Sequence, residues 1–179
     1  MLDKQIITKI NEVKLLVSDV DGVLTDGGII ISSNGEESKN FCVEDGTGVA
    51  LAKCAKIEIV FLSGRYSKST EIRAKELGIK HCLQGHLNKM KKIKELCTIF
   101  DVTLNQIAYI GDGLVDVPVL ENVGFPISVP NAHLLAKEKS LYITKISGGK
   151  GVLHEVIELI LINQKKYDLA LKVLREKNL

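Results

Sequence analysis

Apolar residues fall into short runs separated by segments in which they recur every three or four positions. The runs have the length of buried strands, and the segments between them have the period of amphipathic helices. The predicted strands are residues 15–17, 57–62, 81–83, 107–110 and 124–128, and the predicted helices are 49–55, 67–77, 88–100 and 115–122. This alternation predicts an α/β fold, a Rossmann-like three-layer sandwich around a parallel sheet.

Residues 29–41 interrupt this alternation. Apolar and polar residues on both sides of Asn34-Gly35 read as two strands, and this pair tolerates the positive φ angles of a type I′ turn. We therefore predict a β-hairpin that projects after the first strand. About twenty residues separate Asp26 from Gly46, which is too few for a separate cap domain.

The C-terminal part of the chain predicts two more helices. Val152, Val156, Leu159 and Ile160 form one helical stripe, and residues 165–179 read as a charged helical tail. No repeat, low-complexity tract or linker divides the sequence, so residues 1–179 are predicted to form one domain.

The composition narrows the classes of partner. The 179 residues are 45% hydrophobic and 26% charged, and the net charge is +2, which gives no electrostatic case for a nucleic-acid or membrane partner. Residues 1–13 lack the apolar core of a signal peptide, and no apolar run approaches the length of a membrane span, about 18 residues. We expect a cytoplasmic protein with reduced and mostly buried cysteines, which are Cys42, Cys54, Cys82 and Cys97.

Two carboxylates follow the first predicted strand directly. Asp19 and Asp21 stand at positions i and i+2, so in extended backbone both point to the same side. One carboxylate can attack a phosphoryl group while the other donates a proton to the leaving oxygen and then activates water. Taken alone, the pair is also compatible with an acidic turn that closes the strand.

Further candidate residues follow other strands, at the edge where sites of parallel sheets lie. Ser63-Gly64-Arg65 offers a hydroxyl and free amides that can bind a phosphate, although the segment can also be a plain turn. Lys89 begins a predicted helix and is either a phosphate ligand or a solvated side chain. Asp112 and Asp116 flank one helical turn and suit Mg²⁺, although either can be an N-cap. Together these residues supply what phosphoryl transfer requires.

With DVDGVLTD, LSGR, Lys89 and GDGLVD in this order, the sequence resembles the haloacid dehalogenase superfamily over nearly its whole length. Within it, the chain most resembles the small capless phosphatases that act on 3-deoxy-D-manno-octulosonate 8-phosphate, through DGVLTDG, NGEE, FCVEDGTGV, SGRYSK, LGI, QGHLNK and GGKG. The resemblance implies a Mg²⁺-dependent phosphatase of a sugar-acid phosphate in lipopolysaccharide precursor synthesis. It also implies a homotetramer in which the hairpin, and often the tail, reaches a neighbouring active site.

The resemblance implies specific roles for residues of this chain. Asp19 forms an aspartyl-phosphate, Asp21 is the acid/base, and Ser63 and Lys89 hold the phosphoryl oxygens. The implied Mg²⁺ ligands are the Asp19 carboxylate, the Asp21 backbone carbonyl and Asp112, with Asp116 supporting them. The implied substrate contacts are Asp21, Cys42, Val43, Glu44, Asp45, Gly46, Gly64, Arg65, Arg73 and Lys89.

The chain departs from the family pattern at three positions. Gly113 replaces the second acid of the usual GDD, and Glu44 and Ala50 stand where these phosphatases often carry basic residues. A phosphatase of a nonulosonate 9-phosphate is therefore an alternative. Two readings from other classes are a phosphorylated signalling receiver, which would carry its aspartate where this chain has Ser63, and a silent oligomerisation module.

The predicted hairpin leads to an expectation about assembly. It is too short to fold back stably over its own site, and it exposes Ile29 and Ile31. A two-stranded hairpin is marginal by itself, so we expect it to pack on another subunit of a closed homo-oligomer and to cover part of that subunit's entrance.

Overall fold

A computed structural model describes residues 3–177 of the chain. It begins with helix α1 (Lys4–Glu12), strand β1 (Leu15–Ser18) and a short hairpin of β2 (Ile30–Ile31) and β3 (Glu37–Ser38). Helices and strands then alternate as α2 (Glu44–Cys54), β4 (Glu58–Leu62), α3 (Lys68–Glu76), β5 (His81–Leu83), α4 (Lys89–Phe100), β6 (Ile107–Ile110), α5 (Val117–Leu120), β7 (Phe125–Ser128), α6 (Leu134–Glu138) and β8 (Tyr142–Ile143). Two helices follow, α7 (Val152–Asn163) and α8 (Tyr167–Lys177).

Six strands form one parallel sheet in the order β5-β4-β1-β6-β7-β8. β1 lies in the middle, with Leu15 beside Glu58 of β4 on one side and beside Ile107 of β6 on the other. All residues of β1, β6 and β7 are buried, which explains their continuous apolar runs, because helices cover both faces of such a sheet. The predicted α/β class and parallel sheet are confirmed.

The helices pack in two groups. α2 contacts α7 and α8, and α1 contacts α7, whereas α4 contacts α5 and α5 contacts α6. Only the β2–β3 hairpin stands between β1 and α2, so this part of the chain adds no separate cap domain. No helix within residues 3–177 is long and apolar enough to span a membrane.

Several predicted boundaries were wrong. α2 begins at Glu44 rather than at residue 49, because glycines interrupt the apolar period of its first turns. One of them, Gly48, lets α2 approach α7 closely: a Cβ there would lie 2.6 Å from His154 Cα. The predicted helix 115–122 is a 3₁₀ turn followed by the short α5, and α1, α6 and β8 were not predicted.

The hairpin forms, but its strands are shorter than predicted and its turn is of a different type. Ile30 pairs with Ser38, and Ile31 pairs with Glu37. Gly35 donates its N–H to the carbonyl of Ser32 at 2.9 Å, and Gly35 alone in this loop has a positive φ. The loop is therefore a turn closed by a left-handed glycine, and the predicted type I′ turn is wrong.

The C-terminal helices pack on their own chain. The predicted stripe of α7 is confirmed, and α8 buries Ala170 and packs Tyr167, Leu171 and Leu174 against the core. The predicted tail is thus a docked helix, and its last two residues, with residues 1 and 2, lie outside the described residues. The four cysteines are free, as expected, but they are only partly buried.

Candidate active site

A pocket of about 220 Å³ opens at the carboxyl ends of the central strands. It lies there because parallel strands bring all their carboxyl ends to one edge of the sheet. Its lining residues come from the loops after β1, β4, β5 and β6: Asp19, Asp21, Ser63, Gly64, Arg65, Leu87, Lys89, Asp112, Gly113 and Val115. The sequence-predicted catalytic residues therefore meet in one pocket.

Asp19 lies at the floor of this pocket, directly after β1. Its N–H continues the sheet by donating to the Ile110 carbonyl at 2.9 Å, and its Oδ1 accepts the N–H of Val20 at 2.7 Å. Burial and the nearby carboxylate of Asp116 raise the pKa of Asp19 well above its usual value, while Lys89 opposes this rise. An anionic Asp19 therefore depends on positive charge beside it.

Lys89 supplies that charge from the first residue of α4, whose N-cap Asn88 accepts the N–H of Lys91. Its Nζ lies 2.8 Å from Asp19 Oδ2 and 2.6 Å from Asp116 Oδ1, and its side chain is 1% exposed. Although burial alone would lower the pKa of Lys89, the two carboxylates raise it above its usual value. The solvated alternative for this lysine is wrong.

Asp116 uses both of its carboxylate oxygens to bind Lys89 and the groups around it. Its Oδ1 accepts the hydroxyl of Tyr109 at 2.5 Å as well as Lys89, and its Oδ2 accepts the N–H groups of Asp112 at 3.0 Å and Gly113 at 2.8 Å. These four partners orient Asp116 toward Lys89 and the loop. The fully buried Tyr109 was missed from the sequence because it reads as one apolar residue of β6.

The residues fit a divalent cation. Carboxylate oxygens of Asp19, Asp112 and Asp116 lie within 4.8 Å of one another, and oxygen is the ligand type that Mg²⁺ prefers. Burial, and next to it the charge of Asp116, raises the pKa of Asp112 to about 6, so a cation beside Asp112 would favour its ionised form. Gly22 makes the crowding possible, since a side chain at this position would collide with the Asp112 carboxylate.

Asp21 lies beside the return strand of the hairpin. Its Oδ1 accepts a hydrogen bond from Lys39, whose side chain is only 1% exposed, and its Oδ2 lies 4.0 Å from Arg65 Nη1. Arg65 in turn pairs with Glu37 at 2.7 Å. The expectation that the hairpin does not reach its own site is therefore wrong for its base. Ile29 and Ile31 are exposed as predicted, and Ile30 is exposed as well.

Lys39 and Glu37 were missed from the sequence. The available signal was their i, i+2 spacing on a predicted strand, which places both side chains on one face. The sequence does not reveal which way that face turns.

Ser63 and Gly64 follow β4 as predicted. Ser63 is buried, donates its hydroxyl to the Arg65 carbonyl at 2.9 Å and accepts the Arg65 N–H at 3.2 Å. These bonds fold the loop so that Ser63 and Gly64 both line the pocket.

The other predicted substrate contacts lie apart from the pocket lining. Arg73 donates to the carbonyl of Cys42 at 3.0 Å and pairs with Glu76 at 2.9 Å. Asp45 is buried, and its Oδ1 accepts the N–H of Leu153 at the start of α7 at 2.9 Å. Within one chain, residues 42–46 and Arg73 thus form a separate cluster. In this cluster Glu44 Oε2 lies 3.6 Å from His154 Nδ1.

The GGKG segment, residues 148–151, is hydrogen-bonded to the loop after β1, directly and through Asn131. Gly149 donates its N–H to the Val23 carbonyl at 2.9 Å, and Gly148 donates to the side chain of Asn131 at 2.7 Å. Asn131 donates to the Gly22 carbonyl at 3.1 Å and so joins the two segments. No sequence signal singled out Asn131.

Several known proteins are similar to this chain in sequence and in fold. A model of the haloacid dehalogenase-like hydrolase family matches residues 62–156, and the chain belongs to this family. The 3-deoxy-D-manno-octulosonate 8-phosphate phosphatase KdsC of Escherichia coli K12 is 42% identical over 165 residues, which cover 92% of this chain and 88% of that protein.

Solved structures agree with this assignment. The crystal structure of 3-deoxy-D-manno-octulosonate 8-phosphate phosphatase from Moraxella catarrhalis, in complex with magnesium, phosphate and a KDO molecule, superposes with a TM-score of 0.91. It is 41% identical and covers 94% of this chain and 97% of its own. The cobalt-bound phosphatase from Haemophilus influenzae gives a TM-score of 0.86 at 37% identity, covering 90% of this chain and 94% of its own.

Proposed function

We propose that this chain is a Mg²⁺-dependent phosphatase that hydrolyses 3-deoxy-D-manno-octulosonate 8-phosphate to the free sugar acid and phosphate. The observation that carries the reaction type is the buried Asp19 carboxylate, held against Lys89 at 2.8 Å and near Asp112 at the end of the central strand. The substrate follows from the relatives, which carry this activity in their names and match nine-tenths of the chain.

The reaction proceeds in two steps through Asp19. The carboxylate of Asp19 attacks phosphorus, the bond from phosphorus to the sugar oxygen breaks, and that oxygen takes a proton from Asp21. Asp21, now anionic, takes a proton from a water molecule that attacks phosphorus and releases phosphate from Asp19. Asp19 is thus the nucleophile, and Asp21 acts first as the acid and then as the base.

The remaining residues bind and neutralise charge. Lys89 and Ser63 hold the phosphoryl oxygens, because both line the pocket beside Asp19. Asp19, Asp112 and the Asp21 backbone carbonyl would hold Mg²⁺, which supplies charge neutralisation to the phosphoryl group. Asp116 orients Lys89, since its oxygens are already occupied by Lys89, Tyr109 and two backbone amides.

Arg65 supports recognition of an acidic sugar. Its guanidinium lies at the pocket, is 43% exposed and is available to a carboxylate if it exchanges Glu37 for the substrate. Glu44 and Ala50 supply no positive charge. Arg65 is therefore the guanidinium that lines the pocket of its own chain, whereas Arg73 lies in the separate cluster with residues 42–46.

A substrate panel tests the proposal. Phosphate release is measured with Mg²⁺ for the octulosonate 8-phosphate, a nonulosonate 9-phosphate and common phosphorylated metabolites. We expect the highest kcat/KM with the eight-carbon acid. A tenfold preference for the nine-carbon acid would move the substrate assignment to that compound. If no phosphoester released phosphate, the proposal that this chain is a phosphatase would be wrong.

We further propose that the chain is a cytoplasmic single-domain enzyme that assembles as a homotetramer. The exposed Ile29, Ile30 and Ile31 support the assembly, since large apolar side chains exposed on a short hairpin favour packing on another subunit. The double variant Ile30→Ser, Ile31→Ser should lower the sedimenting mass at micromolar concentration, with Ile143→Ser on the edge strand β8 as control. A wild type that sediments as a monomer while fully active would contradict the tetramer.

A further inference from the structure

Lys39 is a buried cation in an otherwise exposed segment. Its neighbours Ser38 and Asn40 are exposed, yet its own side chain is only 1% exposed. A buried ammonium is costly unless anionic groups pair with it. The hairpin therefore places this charge against specific partners.

Its partners belong to the active site and to the hairpin itself. Nζ donates to Asp21 Oδ1 and lies 3.7 Å from Glu37 Oε1. The second oxygen of Asp21, Oδ2, is buried and has no hydrogen-bond partner within the described residues. The two oxygens of Asp21 are thus unequal: Oδ1 accepts a hydrogen bond from Lys39, whereas Oδ2 accepts none and has the Arg65 guanidinium 4.0 Å away.

We propose that Lys39 is a positioning residue for the acid/base step, in which its hydrogen bond to Oδ1 fixes the orientation of the Asp21 carboxyl group. Held in this orientation, the Asp21 carboxyl group gives its proton to the sugar oxygen when the bond to phosphorus breaks, and later takes one from the attacking water. The inference rests on the proposed phosphatase function, because it assigns a task to Asp21 that only this chemistry requires.

The hairpin is anchored in a way that fits this role. Glu37, two residues before Lys39, pairs with Arg65 at 2.7 Å, and its carbonyl accepts the hydroxyl of Ser69 at 2.9 Å. Both contacts tie the return strand to the segment that follows β4. The base of the hairpin therefore acts on its own subunit, independently of the surface that its isoleucines present to another subunit.

Leaving groups of different basicity separate this role from a structural one. A sugar alkoxide needs a proton to depart, whereas 4-nitrophenolate departs without one, so a misplaced acid slows only the first. We expect Lys39→Met to lower kcat for the best alkyl phosphate by about 10- to 100-fold, with KM within about twofold. With 4-nitrophenyl phosphate, the rate of nitrophenolate release in the first turnover should fall by less than about threefold. Mass spectrometry of the intact protein after an acid quench should show that the phosphorylated enzyme accumulates, because the misplaced Asp21 also slows the attack of water.

Matched variants complete the test. Lys39→Arg keeps a cationic donor and should recover most of kcat, whereas Lys68→Met, which removes an exposed lysine paired with Glu71, should change neither substrate. If melting shows that Lys39→Met is unfolded, Lys39→Gln takes its place with the same expected pattern. Equal losses for both leaving groups, a change in KM alone, or wild-type kinetics would overturn the proposal. Because the best alkyl phosphate is taken from the panel, a wrong substrate assignment leaves this test intact.

Discussion

Lys89 Nζ lies 2.8 Å from Asp19 Oδ2 in the floor of the pocket, where the lysine is 1% exposed and the aspartate side chain 8%. The same ammonium contacts Asp116 at 2.6 Å. Removing the lysine would leave two buried carboxylates without a compensating charge, whereas removing one carboxylate leaves the ammonium paired with the other. Substitutions in this group therefore test chemistry and stability together.

Asp19→Asn should separate the two effects. The amide keeps the shape of the side chain but cannot attack phosphorus, so kcat should fall by more than about 1,000-fold. The melting temperature should change little, because Lys89 retains Asp116. Turnover is measured by phosphate release, and retention of a tenth of the wild-type kcat would rule out Asp19 as the nucleophile.

Mg²⁺ should stabilise the folded protein as well as activate it. At about 100 times its Kd, a ligand that binds only the folded state adds about 2.7 kcal/mol, which raises Tm by about 5–10 °C for a chain of this size. Asp112→Asn should abolish this shift, while Asp101→Asn, an exposed residue at the end of α4, should preserve it. Excess chelator should abolish turnover, and full activity in its presence would contradict the metal requirement.

Tyr109→Phe should slow catalysis through Asp116. The substitution removes only the hydroxyl that donates to Asp116 at 2.5 Å, so Asp116 and Lys89 lose part of their orientation. We expect a loss of stability of about 1–2 kcal/mol and a fall in kcat of about three- to tenfold. Tyr142→Phe is the matched control, because its hydroxyl donates to Glu155 at 2.7 Å away from the pocket. Equal kinetics in the two variants would show that Tyr109 has no role beyond stability.

Asp45→Asn should stabilise the protein in a pH-dependent way. Burial raises the pKa of Asp45 from 3.8 to about 6, although the N–H groups of Leu153 and His154, and the charges of Arg73 and His154, lower it. The folded protein thus binds this proton more tightly than the unfolded chain, and the stability it contributes is present below pH 3.8 and lost as the pH rises through about 6. Asparagine mimics the protonated form.

Urea unfolding of the metal-free protein at pH 4, 6 and 8 measures this effect. The gain from Asp45→Asn should be near zero at pH 4 and about 1–3 kcal/mol at pH 8. Asp101→Asn should show no such trend. A gain that is constant across these pH values would contradict a buried, reluctantly ionised Asp45.

The sequence by itself determined the architecture and the centre of the site. Short apolar runs such as Ile107–Ile110, which alternate with amphipathic helical segments, favour strands covered on both faces, as in a parallel sheet with helices on each side. Parallel strands bring their carboxyl ends to one edge, so Asp19, Ser63 and Asp112 had to meet once the strands were recognised. Local spacing and the period of the backbone were sufficient for these conclusions.

Only the tertiary structure decided what surrounds each charged side chain. The sequence does not show what surrounds Lys89, Asp45 or Lys39. In the structure the first lies between two carboxylates, the second accepts an N–H of α7, and the third lies against Asp21. These contacts join residues 18 to 108 positions apart. Their burial depends on how separate elements pack, and neither hydrophobic period nor motif spacing within one element contains that information.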